Sequence, residues 1–88
     1  MGMLFMVIEK FSAANLGPMG ERFKLRGRML PDGVLYHASW MERDGSRCFQ
    51  IMEAPDRAAL DVWIARWSDL VEFQVFEVLT SAEYWGRG

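Results

Sequence analysis

Residues 35–53 read LYHASWMERDGSRCFQIME, two runs of mixed apolar and polar residues on either side of Asp44-Gly45. Asp-Gly between such runs marks a tight β-turn, because both residues enter positive φ cheaply. A two-residue loop sets Arg43 opposite Ser46 and Glu42 opposite Arg47, and the pairing follows outward. Trp40 then faces Phe49, Ala38 faces Ile51 and Tyr36 faces Glu53 on one side of the hairpin. Met41 faces Cys48, Ser39 faces Gln50 and His37 faces Met52 on the other. The first set is the more apolar and reads as a core face. The second mixes soft apolar groups with hydrogen-bonding ones, and a site is expected there. A three-residue loop with a bulge is the competing register. A slip of one residue would split the apolar set between faces, and burial of each large apolar side chain is worth ~1.5–3 kcal/mol.

Upstream, Met3 to Glu9 reads as a strand with Leu4, Met6 and Ile8 on one face and Phe5 and Val7 on the other. Apolar residues on both faces belong to a central strand covered on both sides. Pro18 suits the first position of a helix, where its missing N–H costs nothing. Met19, Phe23, Gly27 and Leu30 follow at helical spacing, so a helix is expected from Pro18 to about Met29, with Gly27 against the sheet. Pro31-Asp32-Gly33 stops it and turns the chain. Downstream, Pro55-Asp56 opens a second helix to about Ser68, and Leu60, Trp63, Ile64 and Trp67 form its apolar stripe. Leu70 to Leu79 reads as a last two-sided strand. Thr80 and Glu83 have capping-box spacing, which predicts a short terminal helix carrying Tyr84 and Trp85.

Strand, helix, strand, strand, helix, strand is the ferredoxin-like βαββαβ plan. It predicts an α+β fold with a four-stranded antiparallel sheet and two helices on one face, as a single domain over residues 1–88. The chain is 51% hydrophobic, with four Trp, six Phe and seven Met, more than one small core absorbs. Strands apolar on both faces need cover on the side without helices, so a second copy packed sheet on sheet, a homodimer, is expected. The net charge of −2 arises from interspersed charges and leaves no basic stripe for nucleic acid. No apolar run is long enough to span a membrane, and the start lacks the basic region of a signal peptide. The single cysteine excludes an internal disulfide and fits a cytoplasmic location.

The stretches MLFMVIEKF (3–11), ERFKLRGRMLPDG (21–33), SRCFQIMEAPDRAALDVWIARW (46–67) and FEVLTSAEYW (76–85) resemble a small bacterial family known as a domain of unknown function. That family resembles the dimeric α/β-barrel superfamily of ferredoxin-like folds. The resemblance implies the same fold and a dimer, and it supplies no catalytic residue. Better-known relatives of that fold include small monooxygenases, muconolactone-type isomerases and haem-degrading enzymes, and fold alone does not choose among them.

Two residues are candidates for proton transfer. His37 is the only histidine, a general base or haem ligand in a pocket on the mixed face, or else a neutral group hydrogen-bonded at a sheet edge or interface. Glu53 is either a carboxyl with a raised pKa or the partner of Arg26 or Arg28. Cys48 as a nucleophile needs an activating base, and a buried structural thiol is the simpler reading. Trp40, Trp63 and Trp67 form either an aromatic pocket or plain core. Arg26 and Arg28 either steer an anionic ligand or cap a solvated helix end. The expected ligand-binding set is Ser39, Cys48, Gln50 and Met52, closed by Trp85, on the sheet face away from the helices. One histidine and scattered carboxylates make no metal site, and the sequence identifies no cofactor. Three functions fit these residues. The first is a small dimeric ligand-binding or accessory protein with a small hydrophobic ligand. The second is a monooxygenase- or isomerase-like enzyme acting on an aromatic or hydrophobic compound. The third is an assembly role with no ligand.

Overall fold

The two-sided apolar run at the start of the chain becomes β1 (Met3–Lys10). A computed structural model describes residues 2–87. After β1 come α1 (Ala13–Arg26), β2 (Leu35–Met41), β3 (Arg47–Ala54), α2 (Arg57–Ala65), β4 (Glu72–Val78) and α3 (Ser81–Trp85). The strands form one antiparallel sheet in the order β2-β3-β1-β4. This is an α+β fold compatible with the ferredoxin-like plan, and β1 lies inside the sheet as its composition requires.

The core lies between the sheet and the helices. Phe5 and Val7 of β1, Met52 and Ala54 of β3, Leu60 and Trp63 of α2, with Val34, Trp67 and Val71, form one buried cluster. Asp56 caps α2 by accepting the Ala59 N–H at 2.8 Å, which removes an orphan donor worth about 1 kcal/mol. The capping box at Thr80 and Glu83 forms as expected and starts α3.

The hairpin keeps its expected register near the turn. Trp40 pairs with Phe49, Ser39 with Gln50 and Met41 with Cys48. The turn spans four residues rather than two. The Glu42 N–H donates to the Arg47 carbonyl at 2.8 Å, and the Gly45 N–H closes the turn onto the Glu42 carbonyl at 2.8 Å. Both loop lengths are centred on Asp44-Gly45, so the pairing is unchanged. Farther from the turn the register shifts by one residue between Tyr36 and Ala38. Tyr36 pairs with Met52 and Leu35 with Glu53, not Tyr36 with Glu53 and His37 with Met52 as expected. His37 is the extra residue of a β-bulge, which local sequence does not announce.

Three further expectations are corrected. The first helix begins at Ala13, five residues before Pro18, which lies inside it. Pro18 cannot donate to the Ala14 carbonyl, but both residues are exposed, so that carbonyl is open to solvent. The side chain of Asn15 holds the first turn by donating to the Leu70 carbonyl at 3.2 Å. Gly27 does not press against the sheet. It is the residue after α1, at φ 63°, and a Cβ there would meet nothing within 4 Å. Glu53 pairs with His37, not with Arg26 or Arg28.

The faces of the sheet are also exchanged relative to expectation. Ser39, Cys48, Gln50 and Met52 point to the helices, with Phe5, Val7 and Glu9 of β1. Trp40, Phe49 and Ile51 share the open face with Leu4, Met6, Ile8 and Phe76. Trp40 is 60% exposed and Phe76 50% exposed.

Candidate functional site

No residue of α1 is fully buried, because a cavity of about 190 Å³ lies between this helix and the sheet. Phe11, Met19, Phe23, Met41, Trp63 and Trp67 form its apolar walls. Glu9, Ser39, Cys48 and Gln50 come from the sheet, and Arg28 from the loop after α1. An apolar hollow with a few converging polar groups is the usual form of a small-molecule site.

Each polar group is placed by local structure. Glu9 sits two residues beyond Val7 on the same face of β1, between Cys48 of β3 and Phe73 of β4. Burial pushes its carboxyl up to about 7, with the Gln50 and Cys48 side chains and the Arg28 charge pulling partly the other way. Gln50 is only 2% exposed; its side chain lies near enough to Glu9 to lower that carboxyl's pKa, but among the described residues its Nε2 has no acceptor in good hydrogen-bond geometry. A buried amide without a partner costs roughly 1–3 kcal/mol, so this position is held against stability. Burial, reinforced by the charge of Glu9, pushes the Cys48 thiol up to about 11. The group is therefore a neutral thiol near pH 7 and no nucleophile.

Arg28 is delivered by an unusual backbone. Gly27 and Met29 on either side of it have φ of 63° and 57°, and a non-glycine residue in this region is uncommon and strained. The bend aims the Arg28 carbonyl at two indoles, which donate to it from Nε1 of Trp63 at 3.1 Å and of Trp67 at 3.0 Å. Arg66 secures the same bend by donating to the Met29 carbonyl at 2.8 Å. The Arg28 guanidinium carbon lies 3.5 Å from the Tyr36 ring centroid and 5.2 Å from that of Phe23. Among the described residues it forms no salt bridge, whereas Arg22, Arg47 and Arg57 each do. Tyr36 and Ser39 join hydroxyls at 2.6 Å. Residues three apart face oppositely in a regular strand, and the bulge at His37 puts both on the helix side.

The structure thus brings Ser39, Cys48 and Gln50 together with Arg28, Trp63 and Trp67, and leaves Met52, Trp85, His37, Glu53 and Trp40 apart. Met52 is on the same face but buried in the core. Trp85 is 80% exposed in α3, packed edge-on against Tyr84 and absent from the cavity wall. His37 Nε2 and Glu53 Oε1 meet at 2.8 Å outside the cavity, joined across β2 and β3. Glu9 escaped sequence reading, although its parity with Phe5 and Val7 marks a carboxylate on the covered face. Phe11, Met19 and Phe23 carried no signal beyond apolarity. Among the described residues no three His, Cys, Asp or Glu side chains gather as metal ligands.

A small α+β domain with a polar-floored cavity under its first helix is the class that fold and site define. The family model of the domain of unknown function DUF3303 matches residues 3–86, and the chain belongs to that family. Neither the curated proteins nor the solved structures contain a match.

Proposed function

We propose that this domain binds a small, largely apolar molecule in the cavity between its sheet and α1, and that it works as a homodimer closed sheet to sheet. The unpartnered amide of Gln50 carries the first half of this reading. A buried donor with no well-placed acceptor among the described residues is satisfied when a ligand supplies one. The open face supports the second half. Leu4, Met6, Ile8, Phe49, Ile51 and Phe76 make a continuous apolar surface, and a two-fold axis lets such a surface cover itself. Sheet order and bare face together favour a place among the bacterial dimeric α/β barrels. The single free thiol, Cys48, favours the cytoplasm. Among the described residues no helix is long and apolar enough to cross a membrane.

Native mass spectrometry of protein recovered from its own cells should show twice the protomer mass plus a small bound molecule. Light scattering at the protomer mass at micromolar concentration would overturn the dimer. A library of small aromatic and aliphatic compounds that left the indole signals of Trp63 and Trp67 unmoved would overturn the ligand site. A second reading, a proton-transferring enzyme of monooxygenase or isomerase type, is favoured by Glu9. A carboxyl with pKa about 7 inside an apolar cavity is poised as a general base at neutral pH.

A further inference from the structure

The cavity wall sets a guanidinium, an amide and a hydroxyl against a single carboxyl among the described residues. Gln50 contributes a buried NH2 that, among the described residues, has only Glu9 near it and no acceptor in good hydrogen-bond geometry. Arg28 brings a guanidinium stacked on Tyr36 and bridged to no carboxylate among the described residues. The Ser39 hydroxyl is already engaged with Tyr36. Glu9 is the one carboxyl in the wall. We infer that the cavity takes a small monocarboxylate with an apolar, arene-like body, its carboxylate held by the Arg28 guanidinium and the Gln50 amide. This deepens the ligand-site reading above and rests on it.

The other head groups fit less well. A cation would meet Arg28 with only Glu9 to compensate. A neutral carbonyl would satisfy Gln50 but leave the Arg28 charge without a counter-ion. A phosphate dianion would bring a second negative charge to a wall with one arginine. A carboxylate matches the planar guanidinium in geometry and charge. Phe11, Phe23, Trp63 and Trp67 supply flat faces for a ring, and about 190 Å³ accommodates one ring with a short side chain.

Glu9 makes this binding depend on protons. Ionised, it cancels Arg28 and repels the incoming carboxylate; protonated, it leaves the site one positive charge and becomes a further donor. The titratable or charged groups that line the cavity with it are Arg28 from the loop and Cys48 from β3. Cys48 stays a thiol. α1 brings Met19 and Phe23, β2 Ser39 and Met41, β4 Phe73 and the α2 region Trp63 and Trp67, none of which titrates.

The test titrates the intact protein with 3-phenylpropanoate and its neutral isostere 3-phenylpropanamide, followed through the indole signals of Trp63 and Trp67 at pH 6 and pH 8. The acid should bind more tightly than the amide at pH 6. Its affinity should fall about tenfold by pH 8, as Glu9 passes through its pKa, while that of the amide stays level. Arg28→Met should remove the advantage of the acid and spare the amide. Glu9→Gln should leave the acid bound equally at both pH values. Equal binding of acid and amide to the native protein would overturn the carboxylate inference and leave the cavity as a ligand site. Movement of neither indole by either compound would overturn both.

Discussion

From the helix side the sheet presents Glu9, Ser39, Cys48 and Gln50 among its apolar residues; from the open side it presents Met6, Ile8, Phe49, Ile51 and Phe76, with Lys10, Arg47 and Glu53 at the strand ends. Both faces mix polar and apolar residues, but Gln50 on the covered face is buried, while Trp40 and Phe76 on the open face are half in water. Helices shield the first from solvent but leave a hollow over its polar floor, where the proposed ligand would sit. The proposed second copy would cover the other. The lesson is that apolarity measures the need for cover and does not say which element provides it.

The largest expected contrast separates two phenylalanines. Phe5 is 2% exposed in the core under the helices, and Phe5→Ala should cost ~3–5 kcal/mol. Phe76→Ala on the open face should cost under ~1 kcal/mol in dilute protein and more as concentration drives pairing. Urea melts at two concentrations measure both. Equal losses in dilute protein would erase the distinction between the faces.

The next contrast is one of pH. The Glu9 carboxyl is raised from 4.5 to about 7 in the folded chain, so the folded state holds that proton more tightly than the unfolded one. Its contribution is fully present below pH 4.5 and is lost as pH rises through about 7, a fall of about 3 kcal/mol at most. Glu42, Asp44 and Asp69, all at the surface, shift the opposite way, held down chiefly by side-chain hydrogen bonds to Arg47, Ser46 and Arg22 respectively. What they contribute is lost only as pH falls through their lowered values. Denaturation at pH 5 and pH 8 should show the native protein weaker at pH 8 and Glu9→Gln nearly level. A native protein stronger at pH 8 would mean that Glu9 is solvated.

The smallest effect has the most telling sign. Gln50→Met keeps the volume and removes the orphan amide, so the unliganded protein should gain about 1 kcal/mol while losing affinity for its ligand. A thermal melt that moved downward would show that the amide is satisfied within the fold.

Much of the fold was legible in the chain because its signals are local. Asp44-Gly45 placed the hairpin, the stripe from Leu60 to Trp67 placed α2, and Thr80 with Glu83 placed α3. The start of α1 was misplaced because Pro18 usually opens a helix, and here the exposure of its turn tolerates it inside one. The face assignment failed for a different reason. Right-handed crossovers put both helices on one side, but they do not say which alternate residues look that way. Three residues of the site, Ser39, Cys48 and Gln50, were gathered correctly on one face and set on the wrong side of the sheet. Glu9 and the backbone bend at Arg28 depend on contacts between residues far apart in the chain, for which no short stretch carries a mark.

The bulge in β2 also bears on how this sheet could have been assembled over time. Tyr36 and Ala38 pair with the consecutive residues Met52 and Ile51. His37 is thus the single position that the ladder does not count. A chain shortened by that residue would still align every pair from Leu35 to Met41 and keep every side chain on its present face. What it would lose is the bond to Glu53. His37 is an extra residue in the sheet's own terms, tied into the structure by its bond to Glu53 on the open face.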